Sequence, residues 1–274
     1  MKPVLTAAAL IFFFLEAGAQ YYYKDIVVPG QAARQLQQYK EQKVRSVRLN
    51  SFESDGQPTE KFQGSQDIDQ NYTRITTNLQ SALAGSSQLT SFFNARGQLV
   101  KTVDTTDGSA STTEYRYNSQ NELSRVVNLS VSAGAHREKE EHIWTMNGGK
   151  PTGMLRIKDD IDTTYIVFVA DEKGNVGEEN ARRKGNALPS YYYYYDDQNR
   201  LTDIASYNIK AKRLLPDYVF EYNGSGSLQT MMVVPEGSSD YQKWYYEYNR
   251  GLKSRETAFN KKKQLLGRIE YHYN

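Results

Sequence analysis

A short motif recurs along most of the chain and limits what the chain can fold into. Six tyrosines stand directly before an Asn or Asp, and five of them share a longer pattern: Tyr117, Tyr195, Tyr222, Tyr248 and Tyr273. The residues two and four positions before each of them are aromatic or β-branched, and the residues between are mostly polar. Because side chains return to one face of a strand every second residue, this alternation predicts half-buried β-strands and argues against helices.

The segments that follow these strands have the composition of hairpin turns. They begin with Asn or Asp and end with Gly or Asn, the residues that best tolerate a positive φ. A two-stranded unit cannot bury its own aromatic face, so we expect neighbouring units to pack side by side. Successive turns end 24 to 28 residues apart, at Gly97, Asn121, Gly149, Gly174, Asn199, Gly226 and Gly251.

The repeat resembles the RHS/YD-repeat family. The similarity rests on Asp197-Gln198-Asn199-Arg200-Leu201 after a tyrosine-rich strand and on the segment 94–99, and it covers roughly residues 85–274. The Tyr-Asp pair itself occurs once, at Tyr195-Asp196, and the units are longer than is usual, so the chain resembles a degenerate member. The resemblance implies extracellular β-repeats that present or encase something, and it supplies no catalytic residues.

We therefore predict an all-β fold in which antiparallel β-hairpin repeats form a large curved or spiralling sheet, with one short N-terminal helix. Residues 1–19 are predicted to be a signal peptide, because an apolar run ends in Ala17-Gly18-Ala19, which fits the small-x-small cleavage rule. Cleavage after Ala19 would make Gln20 the first mature residue. Residues 20–63 are expected to hold a strand, a helix and a divergent first unit, and residues 64–274 the repeat domain.

Local patterns give further expectations. Tyr21 to Val28 predicts a first strand, ended by Pro29-Gly30. Gln31 to Lys43 is the best helical window, and we expect this helix to cover the first edge of the sheet. The polar stretch from Glu178 to Pro189 predicts a loop that interrupts the repeats, and Gln264 to Tyr273 predicts a last paired strand.

The composition excludes several classes of function. A formal net charge of +2 is close to neutral, so it does not favour nucleic acid or an anionic membrane as a partner. The absence of cysteine excludes disulfides, thiolate metal sites and a cysteine-linked lipid anchor. We expect an exported protein in the periplasm, on the cell surface or in the medium.

A transmembrane barrel is an alternative, since the number of strands suits one. The predicted outward positions carry Glu114, Arg116, Glu221 and Glu247, where lipid would require apolar residues. We therefore expect that the chain does not span a membrane, and that it fractionates with soluble proteins.

Metal and catalytic sites find little support in the residue patterns. Asp159 to Asp162 and Asp67 to Asn71 carry potential calcium ligands, but Tyr72 stands where a calcium loop needs Gly, so we favour solvated loops. His136 and His142 flank a charge run, which we interpret as an exposed loop and strand start, and His272 lies on a polar face. We predict no catalytic residues, no metal and no cofactor.

The excess of tyrosine is the best indication of function. Tyr192, Tyr194 and Tyr245 fall on the otherwise polar face, where exposed rings stack on sugars or anchor a protein partner. The reading we favour is that a further turn of a spiral or the N-terminal helix covers this face. The leading hypothesis is a non-enzymatic scaffold or binding module of the cell envelope, with an unknown partner. The alternatives are a carbohydrate-binding protein that uses these tyrosines and, more weakly, an envelope glycoside hydrolase with a carboxylate pair.

Two short segments predict a modification. Asp104-Thr105-Thr106 and Asp162-Thr163-Thr164 resemble the Asp-Ser/Thr-x acceptor that is used for O-glycosylation in some Gram-negative envelopes. We expect glycans on Thr105 and Thr163, and mass spectrometry of the mature protein from its native host tests this. Unmodified threonine at both positions would contradict it.

Overall fold

The computed structural model describes residues 20–274 apart from positions 83, 133, 135, 210, 236, 237 and 239. The predicted signal peptide lies outside the described residues. A π-helical turn, Tyr23–Val27, continues into helix α1, Val28–Glu41. The strands that follow are β1 Ser46–Glu53, β2 Gln63–Ile68, β3 Arg74–Ser81, β4 Gly85–Phe93, β5 Leu99–Thr106, β6 Ser109–Tyr117, β7 Leu123–Ser132, β8 Arg137–Asn147, β9 Lys150–Lys158, β10 Asp162–Ala170, β11 Val176–Arg183, β12 Asn186–Ala187, β13 Tyr191–Tyr195, β14 Leu201–Asn208, β15 Arg213–Tyr222, β16 Leu228–Val233, β17 Gln242–Asn249, β18 Leu252–Asn260 and β19 Leu265–Tyr273.

The strands form one closed antiparallel barrel. Each strand pairs with its neighbour along the chain, and β19 pairs back onto β1 in a register that runs from Val47 opposite Tyr273 to Glu53 opposite Gly267. Strands β12 and β13 both pair with β11 and together occupy one position, which gives a barrel of 18 strands. The all-β antiparallel class with one N-terminal helix is confirmed. The curved or spiralling sheet is wrong, because closure leaves the sheet without edges.

The repeated tyrosines face the inside of the barrel. Tyr193, Tyr218 and Trp244 are buried, and four of the strand-ending tyrosines, Tyr117, Tyr195, Tyr222 and Tyr273, pack against the same core. Each of the five strand-ending hydroxyls donates to a backbone carbonyl at the start of the preceding strand of the barrel, so the repeat ties neighbouring strands together. These hydrogen bonds, 2.6 to 3.0 Å long, are Tyr117 to Leu99, Tyr195 to Val176, Tyr222 to Leu201, Tyr248 to Leu228 and Tyr273 to Lys253.

Six of the hairpin turns share one geometry. The side-chain Oδ1 of an Asx residue accepts hydrogen bonds from the backbone N–H groups two and four residues later, as at Asn94, Asn118, Asp171, Asp196, Asn223 and Asn260. The residue three positions after each Asx has a positive φ. At Gly97, Gly174 and Gly226, glycine adopts this conformation without the steric cost of a Cβ. Five of the seven predicted turns have this geometry. The other two, which end at Gly149 and Gly251, are shorter hairpin turns whose last residue also has a positive φ, so the predicted turns are confirmed.

The N-terminal segment corrects two expectations. Residues predicted to form a strand, Tyr21 to Val28, are helical, and the helix lies inside the barrel instead of covering a sheet edge. Its rings contact widely separated parts of the wall, which a helix outside the barrel could not do. The ring pairs are Tyr21 with His142 on β8, Tyr22 with Tyr193 on β13, Tyr23 with Phe220 on β15 and Tyr39 with Tyr273 on β19. Within Tyr21 to Val28 only Lys24 is exposed, so apolar side chains lie around most of this stretch and the periodicity that identifies a surface helix is missing.

The predicted loop at Glu178 to Pro189 is also wrong. Most of it forms β11 and β12. The inward positions on β11 include the charged Glu179 and the small Ala181, so the alternation of large apolar and polar residues that identifies a strand is missing there. The last strand, β19, lies where it was predicted. Among residues 20–274, leaving aside the seven undescribed positions, no helix is long and apolar enough to cross a membrane.

The strand-ending hydroxyls predict a measurable loss of stability. Replacing Tyr222 with Phe removes a 2.8 Å hydrogen bond and leaves the carbonyl of Leu201 without this donor. We expect a loss of about 1 kcal/mol, which lowers Tm by about 2–4 °C for a domain of this size. Thermal unfolding of Y222F measures this. The control is Y194F, whose ring is exposed; equal Tm values for the two variants would contradict the role of the hydroxyl.

Candidate functional site

A buried polar cluster holds the start of the helical segment inside the barrel. We call it the helix anchor, and it consists of Asp25, Glu140, His142, Arg156 and Glu179. Oδ2 of Asp25 lies 2.5 Å from Nδ1 of His142 and accepts a 3.1 Å hydrogen bond from Nε1 of Trp144. The helix thereby makes charged contacts to β8 that a purely apolar plug would lack.

Histidine 142 bridges two carboxylates. Its Nε2 lies 2.9 Å from Glu140, which is also paired with Arg156 at 2.6 Å. Burial alone lowers the pKa of His142, but the Asp25 and Glu140 carboxylates outweigh burial and raise it to about 9. Burial raises the pKa of Glu140, but the hydrogen bonds from His142 and Arg156 outweigh it and bring that pKa to about 2. His142 is therefore a buried imidazolium at neutral pH.

Glutamate 179 caps the start of the helical segment from the barrel wall. Its two carboxylate oxygens each accept a 3.1 Å hydrogen bond, from the backbone N–H groups of Tyr21 and Tyr22, and one of them accepts a 2.7 Å hydrogen bond from the Tyr193 hydroxyl. The side chain is almost fully buried. Burial raises the pKa of Glu179 to about 7, since these uncharged donors offset only part of the desolvation.

The helix anchor corrects the interpretation of His142 as part of an exposed segment, because this residue is 4% exposed. The sequence carried a usable signal, since His142 alternates with Trp144 and Met146 on one face of β8. The sequence carried no such signal for Glu179, because this residue lies in a run of polar residues. Each group of the helix anchor is occupied by a partner within the barrel, so its chemistry is that of a structural clamp.

An open groove of about 640 Å³ crosses β1 to β5, and we call it the outer groove. Most of its lining side chains occupy strand positions that alternate with buried ones, so they face outward. The lining includes one cation, Arg48, and one anion, Asp107, and is otherwise uncharged. Neutral hydrogen-bonding groups dominate it, among them the amides of Asn50, Gln63, Asn78, Gln80 and Gln88. Such a lining suits a neutral ligand rich in hydroxyl groups.

The predicted binding tyrosines do not form one site. Tyr194 is 47% exposed and Tyr245 is 43% exposed, whereas Tyr192 is partly buried. The helix that was expected to cover this face lies inside the barrel. Tyr194 on β13 and Tyr245 on β17 are separated by three strands, which puts them roughly 19 Å apart at about 4.8 Å per strand.

The other candidate side chains have local partners. Asp69 accepts hydrogen bonds from the backbone N–H groups of Thr73 and Arg74 within its own turn. Asp160 pairs with Lys139 at 2.6 Å. His136 pairs with Glu138, and His272 lies 3.0 Å from Asn50. In the described part of the chain, no group of three or more His, Asp or Glu side chains is placed to hold a metal ion.

Comparison with known proteins adds little about function. No protein-family model and no curated protein matches the sequence. Similar solved structures include porin-like proteins from Bacteroides uniformis (TM-score 0.40, 10% identity, 84% of this chain and 98% of that chain) and Bacteroides vulgatus (TM-score 0.27, 11% identity, 84% and 98%). The TcdB2–TccC3–Cdc42 complex is also similar (TM-score 0.31, 10% identity, 85% of this chain and 17% of that chain). These likenesses are too weak to carry a functional argument or to establish the RHS/YD resemblance.

The charged state of His142 predicts how stability depends on pH. The folded protein binds the His142 proton more tightly than the unfolded chain, so this contribution is complete below about pH 6.5 and is lost as pH rises through about 9. A shift of this size corresponds to a loss on the order of 3 kcal/mol. Urea unfolding measured from pH 6.5 to 9.5 tests it.

The raised pKa of Glu179 acts mainly between its ordinary value and about 7, so measurements above pH 7 report chiefly on His142. The control variant is H142Q, which should be less stable at pH 6.5 and should lose most of the dependence above pH 7. The same slope in H142Q and in the native sequence would contradict the assignment.

Proposed function

We propose that this protein is an exported, non-enzymatic barrel of the cell envelope that acts as a scaffold or binding module through its outer surface. The observation that carries this proposal is that the helical segment and the tyrosine lining occupy the interior. A barrel of this strand number is wide enough to leave a channel when nothing fills it. Here the interior serves packing, so a partner meets the outside.

The helical segment is fixed near both of its ends, which supports a permanent filling. Near its start it is held by the helix anchor. Near its end, the hydroxyl of Tyr39 donates a 2.7 Å hydrogen bond to Gln66 on β2, and Nε2 of Gln42 donates one of 2.7 Å to the carbonyl of Arg250. Removing the helix would expose buried charges and rings together, which is energetically costly.

The distribution of carboxylates favours binding over catalysis. Hydrolysis of a glycoside by the usual mechanism needs two carboxyl groups at a fixed separation in an accessible pocket. Among the described residues that line the outer groove, Asp107 is the only acidic one. The buried carboxylates Asp25, Glu140 and Glu179 lie inside the barrel and are held by internal partners.

Charges on the outer surface support a location outside the hydrocarbon of a membrane. Arg116, Glu221 and Glu247 have more than half of their side chains exposed. Charged side chains on the lipid face of a barrel cost a few kcal/mol each near the middle of a bilayer. Together with the predicted signal peptide, this supports the periplasm, the cell surface or the medium.

The outer groove favours a second candidate function, which is binding of a neutral saccharide. Amide and hydroxyl side chains supply donors and acceptors without the desolvation cost of charges, and Phe62 adds an apolar surface. This proposal moves the binding site from Tyr194 and Tyr245 to the groove across β1 to β5. The two locations are on different strands and can be tested separately.

Binding to a glycan array distinguishes the candidates. Produced with its own leader in a Gram-negative host, the protein is expected in the soluble envelope fraction or the medium. We expect the combined Q80A and Q88A variant to lose at least tenfold in affinity for any bound neutral glycan, because each hydrogen bond removed contributes about 1 kcal/mol. The combined Y194A and Y245A variant is the matched control and should bind normally.

Other outcomes are equally informative. Loss of glycan binding only in the tyrosine variant would restore the tyrosine hypothesis and contradict the groove. The absence of binding to any glycan would leave the scaffold function and contradict the saccharide proposal. Recovery of the protein with membranes after alkaline extraction would contradict the proposed location.

A further inference from the structure

We infer that the helix anchor is a binding site for the chain's own α-ammonium group at Gln20, and that Glu179 is its counter-ion. Hydrolysis of the Ala19–Gln20 peptide bond by a leader-cleaving protease consumes one water, leaves a carboxylate on Ala19 and creates an ammonium on Gln20. This inference rests on the geometry at Glu179 and on the predicted cleavage rule. It does not depend on which partner the outer surface binds.

The charges around Tyr21 do not balance in the uncleaved chain. Three carboxylates, from Asp25, Glu140 and Glu179, surround its ring together with the two cations His142 and Arg156. Asp25 and Glu140 are the partners of His142, and Glu140 also pairs with Arg156. The group therefore carries one excess negative charge when all three carboxylates are ionised, and one further cation would neutralise it.

Glu179 is the carboxylate that this further cation would neutralise. It is 1% exposed, and the donors found for it in the described chain, Tyr21 N–H, Tyr22 N–H and the Tyr193 hydroxyl, are uncharged. An ionised carboxylate buried without a cation is costly. Hydrogen bonds from a helix start offset part of this cost, because the first turn carries a partial positive charge.

Gln20 is placed to supply the missing cation. It precedes Tyr21 directly, is 6% exposed, and its carbonyl accepts a 3.0 Å hydrogen bond from the N–H of Lys24, so it already belongs to the first turn. The nitrogens of Tyr21 and Tyr22 both donate to Glu179. The nitrogen of Gln20 is one residue before that of Tyr21, so an ammonium there would lie beside the same carboxylate.

The pairing of the Gln20 ammonium with Glu179 means that cleavage after Ala19 stabilises the folded barrel. An uncleaved chain has a neutral peptide N–H at Gln20, whereas a chain cleaved after Ala19 has a full positive charge there. A positive charge at a helix start is ordinarily unfavourable, and the Glu179 carboxylate reverses that preference. The cleaved chain is thus the form in which the charges of the helix anchor balance and the segment is held most firmly in the barrel.

Two forms of the otherwise intact mature protein test this. One begins at Gln20, released without extra residues from a cleavable fusion, and the other carries Gly-Ser before Gln20. Each is made in the native sequence, in E179Q and in the control variant E178Q. Glu178 is the residue before Glu179 on β11, and it accepts a hydrogen bond from Nδ2 of Asn180. We expect the extension to lower Tm by roughly 5–10 °C in the native sequence and in E178Q, and by much less in E179Q.

A chemical measurement covers the case in which E179Q does not fold. Mild acetylation near pH 6.5 favours α-amino groups, since their ordinary pKa is about 7.7–8.0, and intact mass reports the product. In the folded native protein we expect the α-amino group of Gln20 to react at least tenfold more slowly than in urea. Reaction at equal rates would overturn the inference, as would the same Tm loss in E179Q as in the native sequence. Pyroglutamate at position 20, or a mature chain that begins elsewhere, would also overturn it.

Discussion

The structure depends on filling an 18-strand barrel. A wall of this strand number encloses more space than its own side chains occupy, and the chain fills that space with its N-terminal helical segment and with the repeated tyrosines. Asp25, His142 and Glu179 are buried at the start of this segment, and buried charged groups must be paired. The pairing of Asp25 with His142 and the capping by Glu179 follow from that requirement.

Much of the barrel wall could be predicted because its residues encode local geometry. Tyrosines such as Tyr193 and Tyr222 alternate with outward-facing residues at a period of two, and Asx residues such as Asn94 and Asn223 begin turns whose third following residue needs a positive φ. These signals act within a few residues of each other. Closure of the barrel has no such local signal, because the pairing of β19 with β1 joins positions that are more than 200 residues apart in the sequence.

The misassigned parts have a common physical cause. Tyr21 to Val28 has the composition of a strand because rings and aliphatic side chains lie around most of this helical stretch, in which only Lys24 is exposed. Glu179 and His142 appeared solvent-exposed because charged residues usually are, yet each becomes tolerable inside the barrel through partners that are distant in sequence. The outer groove was missed for the same reason, since its amides come from separate strands.

The most direct test of the internal helix is native-state hydrogen exchange of the α1 backbone amides. The wall holds this segment near both ends, through the helix anchor and through Tyr39 and Gln42. We therefore expect α1 to open only together with the barrel, so that its amides report the same free energy as those of the central strands and respond to denaturant with the same slope. A helix docked on the outside would detach by itself. Exchange of α1 at a markedly lower free energy than the strands, with the barrel intact, would contradict this structure.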